Sequence, residues 1–322
     1  MLFPLKKSLK PVISGFVGML CGIANDIVLK KTLTIFVYHD ISDDPSEFSC
    51  TFNLNVYPKV FDYQISFIKD NFNIISPDDL LKGKIPSKAA LVTFDDGFRS
   101  YFRNAVPILE KYKVPSIIFL NMEPVKGSVF WSGLITYLCE KEEDFRNYLK
   151  SSLSKRTDEK SLFLFCSRNL VDSYIKKAGK SFEKEVSQFV GEFATEKDLV
   201  EASVKPLVFF GNHLFNHDVP LSLSDEELLS SYFKNIGELK KYPNYRNMFS
   251  FPFGQPGTCY SDKQMNLLFQ NGVKKIFSAY GVINTNSLSS YLHRIPLCSF
   301  HDSAAKIWFQ ICQQTLKNQL IY

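Results

Sequence analysis

The chain has 322 residues, of which 45% are hydrophobic and 22% are charged, and its formal net charge is +5. This apolar content supports a buried core, so the composition excludes a largely disordered protein. The positive excess is small and is not gathered in one Lys/Arg tract, so we expect no nucleic-acid partner.

Residues 1–30 are predicted to form an amphipathic or apolar segment. Lys6, Lys7 and Lys10 precede the apolar stretch from Pro11 to Ala24, which is shorter than the ~20 residues that a membrane-spanning helix needs. An amphipathic helix in peripheral contact with a membrane is the preferred interpretation, and a cleaved signal peptide is the alternative.

The seven cysteines are odd in number and widely scattered. This usage favours free thiols in a reducing compartment. We therefore expect a cytoplasmic protein, or one held at the inner face of the membrane, with export as the alternative.

Strands and helices alternate in the first part of the chain. Short apolar runs rich in β-formers predict buried strands, and apolar residues three or four positions apart predict helices. Strands that alternate with helices at this spacing form parallel sheets. The predicted strands are Leu33–Tyr38, Ala89–Phe94 and Ser116–Leu120, and the predicted helices are Tyr57–Asn71 and Tyr101–Tyr112.

Residues 131–206 interrupt this alternation. They are rich in Lys, Glu, Ser and Phe and contain no convincing strand run, so we predict a helical insertion. The chain then forms one β/α barrel-like domain from residues 31–130 and 207–322, with the insertion as an excursion. In the second part, the predicted strands are Leu207–Phe210, Met248–Phe251 and Lys275–Ser278, and a helix is predicted at Ser224–Lys241.

Two adjacent carboxylates, Asp95 and Asp96, follow the predicted strand that ends at Phe94. In parallel β/α folds, catalytic groups gather at the carboxyl ends of strands. One carboxylate can bind a metal while the other keeps the basicity needed to activate water. The alternative is a simple turn at Asp96-Gly97.

A second polar cluster contains His213 and His217, directly after the Leu207–Phe210 strand. Two histidines four positions apart share one face if the segment is helical, and both can then bind one ion. A carboxylate would complete a three-ligand site with an open position for water. The alternative is two unrelated polar residues on a loop.

The segment Phe251, Pro252, Phe253 and Gly254 is either a rigid packed turn or an aromatic wall for a sugar ring. Three further histidines can also serve a site, although a structural or surface role is equally compatible with the sequence. His293 and His301 are candidates for a general acid, and His39 can face the mouth of the site and contact substrate.

Together these clusters resemble the polysaccharide deacetylase family, also called the NodB-homology or carbohydrate esterase family 4 domain. Thr93 to Gly97 is similar to the family's TFDDG motif, and His213 to His217 is similar to its HxxxH pair. Ser250 stands where many members carry an arginine, and this departure resembles the exopolysaccharide and surface-glycan branch with a Pro-Phe-Gly third motif. Arg294 is a candidate to replace the missing arginine and orient the base.

The resemblance implies a distorted (β/α) barrel of about seven parallel strands. It implies Asp95 as general base, His293 or His301 as general acid, and Asp96, His213 and His217 as ligands of zinc, with cobalt or nickel as alternatives. The implied substrate is an acetylated amino sugar in a glycan or glycolipid. The competing interpretations are a catalytically silent glycan-binding barrel and a hydrolase of another bond, such as a cyclic amide or an O-acetyl ester.

Overall fold

The computed structural model of the protein describes residues 29–152 and 166–321. The predicted segment at residues 1–30 therefore lies almost wholly outside the described residues. Within the described part of the chain, no helix is both long enough and apolar enough to cross a membrane.

Parallel strands form the centre of the fold. The strands are β1 (Leu33–Tyr38), β2 (Asp40–Ile41), β3 (Asn55–Val56), β4 (Asn73–Ile74), β5 (Ala89–Phe94), β6 (Ser116–Leu120), β7 (Val208–Asn212), β8 (Tyr245–Ser250), β9 (Lys275–Ser278), β10 (Tyr291–His293) and β11 (Ile295–Pro296). Eight of them follow the order β10-β9-β8-β7-β6-β5-β1-β11, while β4 pairs with β5 and a separate small sheet joins β2 to β3.

Strands β10 and β11 are one segment of chain, interrupted only at Arg294. Its first half pairs with β9 through Leu292 and Phe277, and its second half pairs with β1 through Ile295 and Phe36. This segment brings the two ends of the sheet together, so eight strands occupy seven positions around a nearly closed ring. The prediction of a distorted (β/α) barrel of about seven parallel strands is confirmed.

Helices surround the barrel and fill the long connections. Helix α11 begins with a capping box between Ser224 and Glu227, which confirms the predicted helix start. The helices are α1 (Glu47–Thr51), α2 (Pro58–Asn71), α3 (Pro77–Leu81), α4 (Val106–Tyr112), α5 (Met122–Val125), α6 (Trp131–Lys141), α7 (Glu143–Ser152), α8 (Arg168–Ala178), α9 (Glu183–Val190), α10 (Glu196–Ser203), α11 (Asp225–Leu239), α12 (Asp262–Gln270) and α13 (Ala304–Ile321).

The helix predicted from Tyr101 to Tyr112 is divided into two parts. Tyr101–Ala105 is a π-helical turn, in which the Val106 N–H donates to the carbonyl of Tyr101, and α4 follows. Proline at position 107 has no N–H to continue the α-helical ladder, so a wider turn precedes it.

Four predicted strands, β1, β5, β6 and β9, have the expected bounds, but β7 and β8 differ. Strand β8 begins at Tyr245, three residues before the predicted start, and ends before Phe251. Its first three residues are only half-buried, so they carry no apolar signal in the sequence.

Helices α6 to α10 occupy the region of the predicted insertion. Helices α6 to α9 pack around a hydrophobic core of their own, whereas Leu199 and Ala202 of α10 belong to the main core. Two aromatic residues from barrel loops, Phe48 and Phe98, join this second core. The boundaries proposed for the insertion, residues 131–206, stay a prediction.

The expectation of free thiols is wrong for Cys312, which is disulfide-bonded. The spacing of the cysteines gave no sign of a pair, because a disulfide depends on proximity in the fold. Among the other described cysteines, free thiols are found at Cys50, Cys139, Cys259 and Cys298.

Candidate active site

Alternate residues of the barrel strands point into the barrel, as the two-residue period of a strand requires. Apolar residues such as Leu91 and Phe119 fill the lower part of the barrel as one buried cluster. At the carboxyl ends of the strands, the residues that point into the barrel are polar. They are His39 after β1, Asp95 after β5, His213 after β7, Ser250 at the end of β8 and Arg294 after β10.

Asp95 is held by Arg294 in a fully buried ion pair. Nη1 of Arg294 lies 2.7 Å from Oδ1 of Asp95, and Nη2 lies 2.6 Å from Oδ2. Nη2 also donates to the Ser250 hydroxyl, and Nε donates to the carbonyl of Ser278. Burial alone would raise the pKa of Asp95, but the charge and hydrogen bonds of Arg294, together with the charges of His213 and His39, outweigh burial and lower that pKa. Asp95 is therefore an ionised carboxylate in a fixed orientation.

Asp96 faces both histidines of the HxxxH pair. Its Oδ1 atom lies 3.4 Å from Nε2 of His213 and 3.1 Å from Nε2 of His217. All three side chains are buried. One ligand atom from each residue lies within 4.8 Å of the others.

The two histidines lie close together although their segment is not a helix. The four-residue spacing predicts a shared face only in a helical segment. The segment after β7 is a loop, in which Leu214 and His217 have left-handed φ angles of 62° and 55°. This backbone path turns the chain back on itself, so both imidazoles reach Asp96.

Hydrogen bonds determine which ring nitrogens face Asp96. Nδ1 of His213 lies 2.7 Å from the carbonyl oxygen of Ser250, so this nitrogen carries the proton. Nδ1 of His217 lies 2.5 Å from the hydroxyl of Ser132. If that nitrogen also donates, both Nε2 atoms present lone pairs to the Asp96 carboxylate.

The pKa shifts agree with this arrangement. Burial lowers the pKa of His217 more than the Asp96 charge raises it, so the neutral imidazole is favoured. Burial alone would raise the pKa of Asp96, but the positive charge of a protonated His217 and hydrogen bonds from both histidines would hold it well below its usual value. With neutral imidazoles, a bound cation must supply that positive charge instead. Three converging lone pairs repel one another unless a cation lies between them. This donor set therefore fits a divalent metal such as zinc.

His39 lies beside Asp95. Its Nε2 atom is 4.0 Å from Oδ2 of Asp95, and its side chain is 22% exposed, so it reaches both this carboxylate and solvent. The sequence assigned His39 only to substrate contact. Its position after β1 places it next to Asp95 on the interior face of the barrel.

The structure does not bring His293 to Asp95. Adjacent residues of a strand point to opposite faces, so His293 points away from the face that carries Arg294. Its Nδ1 atom pairs with the Ser278 hydroxyl at 2.7 Å, and its ring packs on Tyr291.

His301 is buried outside the barrel interior. Its Nδ1 atom accepts a hydrogen bond from the Cys298 N–H, and its backbone carbonyl accepts one from Gln64 of α2. Neither His293 nor His301 has a described contact with the carboxylate pair, so the geometry does not support either as the acid.

The residues of the third motif, Phe251 to Gly254, differ in their surroundings: some are buried in the core, and one borders the site. Phe251 is fully buried and stacks on Tyr260, with ring centroids 3.8 Å apart, which fits the alternative of a packed turn. Pro252 is also buried. Phe253 is half-buried, and its ring lies 4.9 Å from that of His217. Phe253 is therefore the member of this motif that borders the site.

Gly254 has a backbone role. Its φ is +61°, and a Cβ atom there would lie 2.4 Å from Cβ of Ala279. Only glycine allows this turn to lie so close to the following strand end.

Sequence reasoning missed the asparagines that hold the histidine loop. The side-chain amide of Asn121 donates to the carbonyls of His213 and Leu214. The side-chain oxygen of Asn212 accepts from the Leu214 N–H at 2.9 Å and from Asn235 at 2.8 Å. Asn121 follows a predicted strand, which was the available signal.

The chain matches the polysaccharide deacetylase family over residues 82–276, a span that includes both the carboxylate pair and the histidine pair. The chain belongs to this family, and the predicted resemblance is confirmed.

Two curated relatives match shorter stretches. YxkH of Bacillus subtilis is 34% identical over 94 residues, which are 27% of this chain and 31% of YxkH. A poly-beta-1,6-N-acetyl-D-glucosamine N-deacetylase of Staphylococcus aureus is 25% identical over 164 residues, which are 45% of this chain and 57% of that protein. The matches thus span between about a third and just over half of these relatives.

Solved structures share the fold. The Streptococcus pyogenes deacetylase PplD, solved with acetate, has a TM-score of 0.56 at 19% identity and covers 88% of this chain and 97% of its own. IcaB from Ammonifex degensii has a TM-score of 0.55 at 16% identity, with 87% and 97% covered. At these identities, the likeness concerns the fold.

Proposed function

We propose that this protein is a metal-dependent hydrolase that removes the acetyl group from an amino sugar of a polysaccharide or surface glycan. The observation that carries the proposal is the division of two adjacent carboxylates. Asp95 is paired with Arg294, while Asp96 faces His213 and His217. Family membership and the N-deacetylase named among the relatives support the choice of an N-acetyl group.

Asp96, His213 and His217 would hold the metal. A divalent ion bound there supplies positive charge that polarises a carbonyl and makes water more acidic. A glycan-binding barrel without activity would need neither this ligand set nor a paired, ionised base, so the site favours an enzyme over the silent barrel.

Asp95 takes the proton from the attacking water. Arg294 keeps the carboxylate ionised and fixes its plane, because it donates to both oxygens. Oδ2 also accepts from the Ser250 hydroxyl at 3.4 Å, so Oδ1 keeps a lone pair for the incoming proton. The water oxygen bonds to the acetyl carbon, and the bond from that carbon to the sugar nitrogen breaks.

His39 supplies the proton that the leaving nitrogen needs. His39 and Asp95 follow neighbouring strands, and both side chains lie on the interior face of the barrel. His39 is partly exposed, so a substrate that enters from solvent can contact it. This assignment replaces His293 and His301, which do not contact the carboxylate pair.

The test combines metal content with acetate release. The wild type and His213→Ala are purified, their metal content is measured, and both are assayed on N-acetylglucosamine oligomers with and without a chelator. His301→Ala, which removes a buried histidine outside the site, is the matched control. We expect bound metal and chelator-sensitive acetate release in the wild type and control, with both lost in His213→Ala.

Parallel assays on O-acetyl sugars and cyclic amides identify the bond that is cleaved. Metal-dependent hydrolysis of only those substrates would replace the N-acetyl assignment. A wild-type protein that binds no metal and releases no acetate would contradict the proposed enzyme.

A further inference from the structure

Helix α6, the first helix of the inserted region, contacts the metal-ligand candidate His217 directly. Besides its contact with Nδ1 of His217, the Ser132 hydroxyl lies 3.2 Å from the His217 backbone carbonyl, to which it donates. Since the single hydroxyl proton is directed to that carbonyl, the oxygen is free to accept from Nδ1. The imidazole and the backbone carbonyl of His217 are therefore both hydrogen-bonded to the buried Ser132 hydroxyl.

The same helix start covers the imidazole. Phe130, the residue before α6, places its ring 5.1 Å from that of His217, and Phe253 lies against the same ring from the barrel side. With both neighbours in contact, the imidazole has little freedom to rotate once Nδ1 is fixed.

The end of the inserted region contacts the loop that carries Asp96. Phe98 and Phe193 form an antiparallel bridge, and their rings stack with centroids 5.0 Å apart. The Ala194 N–H donates to the carbonyl of Gly97, the residue after Asp96, at 2.9 Å. The inserted region thus supports both ligand-bearing loops.

A third contact comes from α8. Arg168 donates to Asp218, the residue after His217, at 3.0 Å and to Glu123 at 3.2 Å, and its guanidinium lies 4.3 Å from the Trp131 ring. Asp218 is buried, so this pair ties the histidine loop to α8.

We infer that the inserted helices are a structural part of the metal centre, and that Ser132 is a positioning residue that holds His217 with Nε2 towards Asp96. This inference rests on the proposed metal site. Without the Ser132 hydroxyl, the imidazole can adopt the other tautomer, in which Nε2 carries the proton and cannot bind a metal.

The test measures metal binding and not turnover. The full-length wild type, Ser132→Ala and Ser173→Ala are stripped of metal and titrated with Co²⁺, with affinity measured by calorimetry and ligand geometry by the visible spectrum. Ser173→Ala is the matched control, because it makes the same change in α8, where the hydroxyl is exposed and bonds only to its own helix. A fourth protein, Arg168→Gln, probes the second tether at a residue that is 38% exposed.

We expect Ser132→Ala to bind Co²⁺ about 10- to 100-fold more weakly, with an altered visible spectrum, whereas Ser173→Ala matches the wild type. Arg168→Gln should show a smaller loss of affinity, which keeps the inference testable if Ser132→Ala does not fold. Wild-type affinity and spectrum in both Ser132→Ala and Arg168→Gln would overturn the inference and leave the proposed function intact. Failure of the wild type to bind Co²⁺ would overturn both.

Discussion

Arg294 and Asp95 are 199 residues apart in the chain, yet their side chains form two parallel hydrogen bonds inside the barrel. The small Ser250 lies beside this pair and accepts a third hydrogen bond from the same guanidinium. Ser250 therefore occupies the position that carries an arginine in the third motif of many family members. Its small side chain leaves room for Arg294, which comes from another part of the barrel.

Arg294→Met should destabilise the fold strongly. It leaves the buried Asp95 carboxylate without its partner, so we expect the free energy of unfolding to fall by about 3 to 5 kcal/mol. Arg246→Met is the matched control, because Arg246 also donates to both oxygens of a carboxylate, that of Asp78, but at the partly exposed surface. It should lower that free energy by at most about 1 kcal/mol. Equal losses in urea denaturation would contradict the buried role of Arg294.

Asp95→Asn should separate catalysis from metal binding. The amide cannot accept the proton from water, so turnover should fall by about 10²- to 10⁴-fold while metal content is unchanged. Asp96→Asn makes the same chemical change one residue further on and should lose the metal as well. Full activity in Asp95→Asn would show that the base is another group.

Substitution of the three candidate acids, His39, His293 and His301, should affect turnover to different extents. His39→Gln should reduce turnover by about 10²-fold or more with metal retained, because it removes the proton donor beside Asp95. His293→Gln and His301→Gln should keep turnover within about threefold of the wild type, since neither contacts the carboxylate pair. A large loss in His293→Gln, with normal metal content and folding, would restore His293 as the acid.

Gly254→Ala should be more damaging than the same change at Gly257. Both glycines have left-handed φ angles, but a Cβ atom at Gly257 would meet nothing within 4 Å, whereas one at Gly254 would meet Ala279. We expect Gly257→Ala to lower the free energy of unfolding by about 1 kcal/mol, from the φ angle alone. Gly254→Ala should lose on the order of 3 kcal/mol, because the clash adds to the strain. Thermal unfolding of the pair checks this, and equal midpoints would exclude the close approach.

His301 should make the fold sensitive to acid. Burial lowers the pKa of His301 to about 4, below the ~6.5 of an exposed histidine in the unfolded chain. Between these values the unfolded state binds more protons, so the free energy of unfolding falls as the pH falls, by on the order of 3 kcal/mol over the interval. His301→Gln removes this contribution. Urea denaturation at about pH 7 and about pH 4.5 should show a smaller pH-dependent loss in the variant, and parallel curves would contradict the assignment.

The sequence predicts the barrel well because its signals are local. Apolar runs such as Ala89–Phe94 are buried along their whole length, so they stand out without knowledge of their neighbours. The carboxylates and the HxxxH pair were also found, because each follows such a run. The helix on which their shared face was made conditional does not form, since two residues with left-handed φ angles bring His213 and His217 together.

The remaining parts of the site depend on contacts between distant segments. The choice between His39 and His293 depends on which face of its strand each residue occupies, and that follows from the strand register. Ser132 contacts His217 across 85 residues of sequence. A serine near a helix start has many roles, so nothing local distinguished it.

The closure of the barrel also sets an order of events during synthesis. Strand β11 is the last barrel strand along the chain and β1 is the first, and they pair through Ile295 and Phe36. A ribosome releases Asp95, Asp96 and both histidines well before it releases Arg294. The nascent chain therefore carries the three proposed metal ligands and an Asp95 without its arginine until the closing segment emerges. On the proposed mechanism, activity would arise only once this segment has been added, and a chain that stops before Tyr291 would hold the proposed metal ligands with Asp95 unpaired.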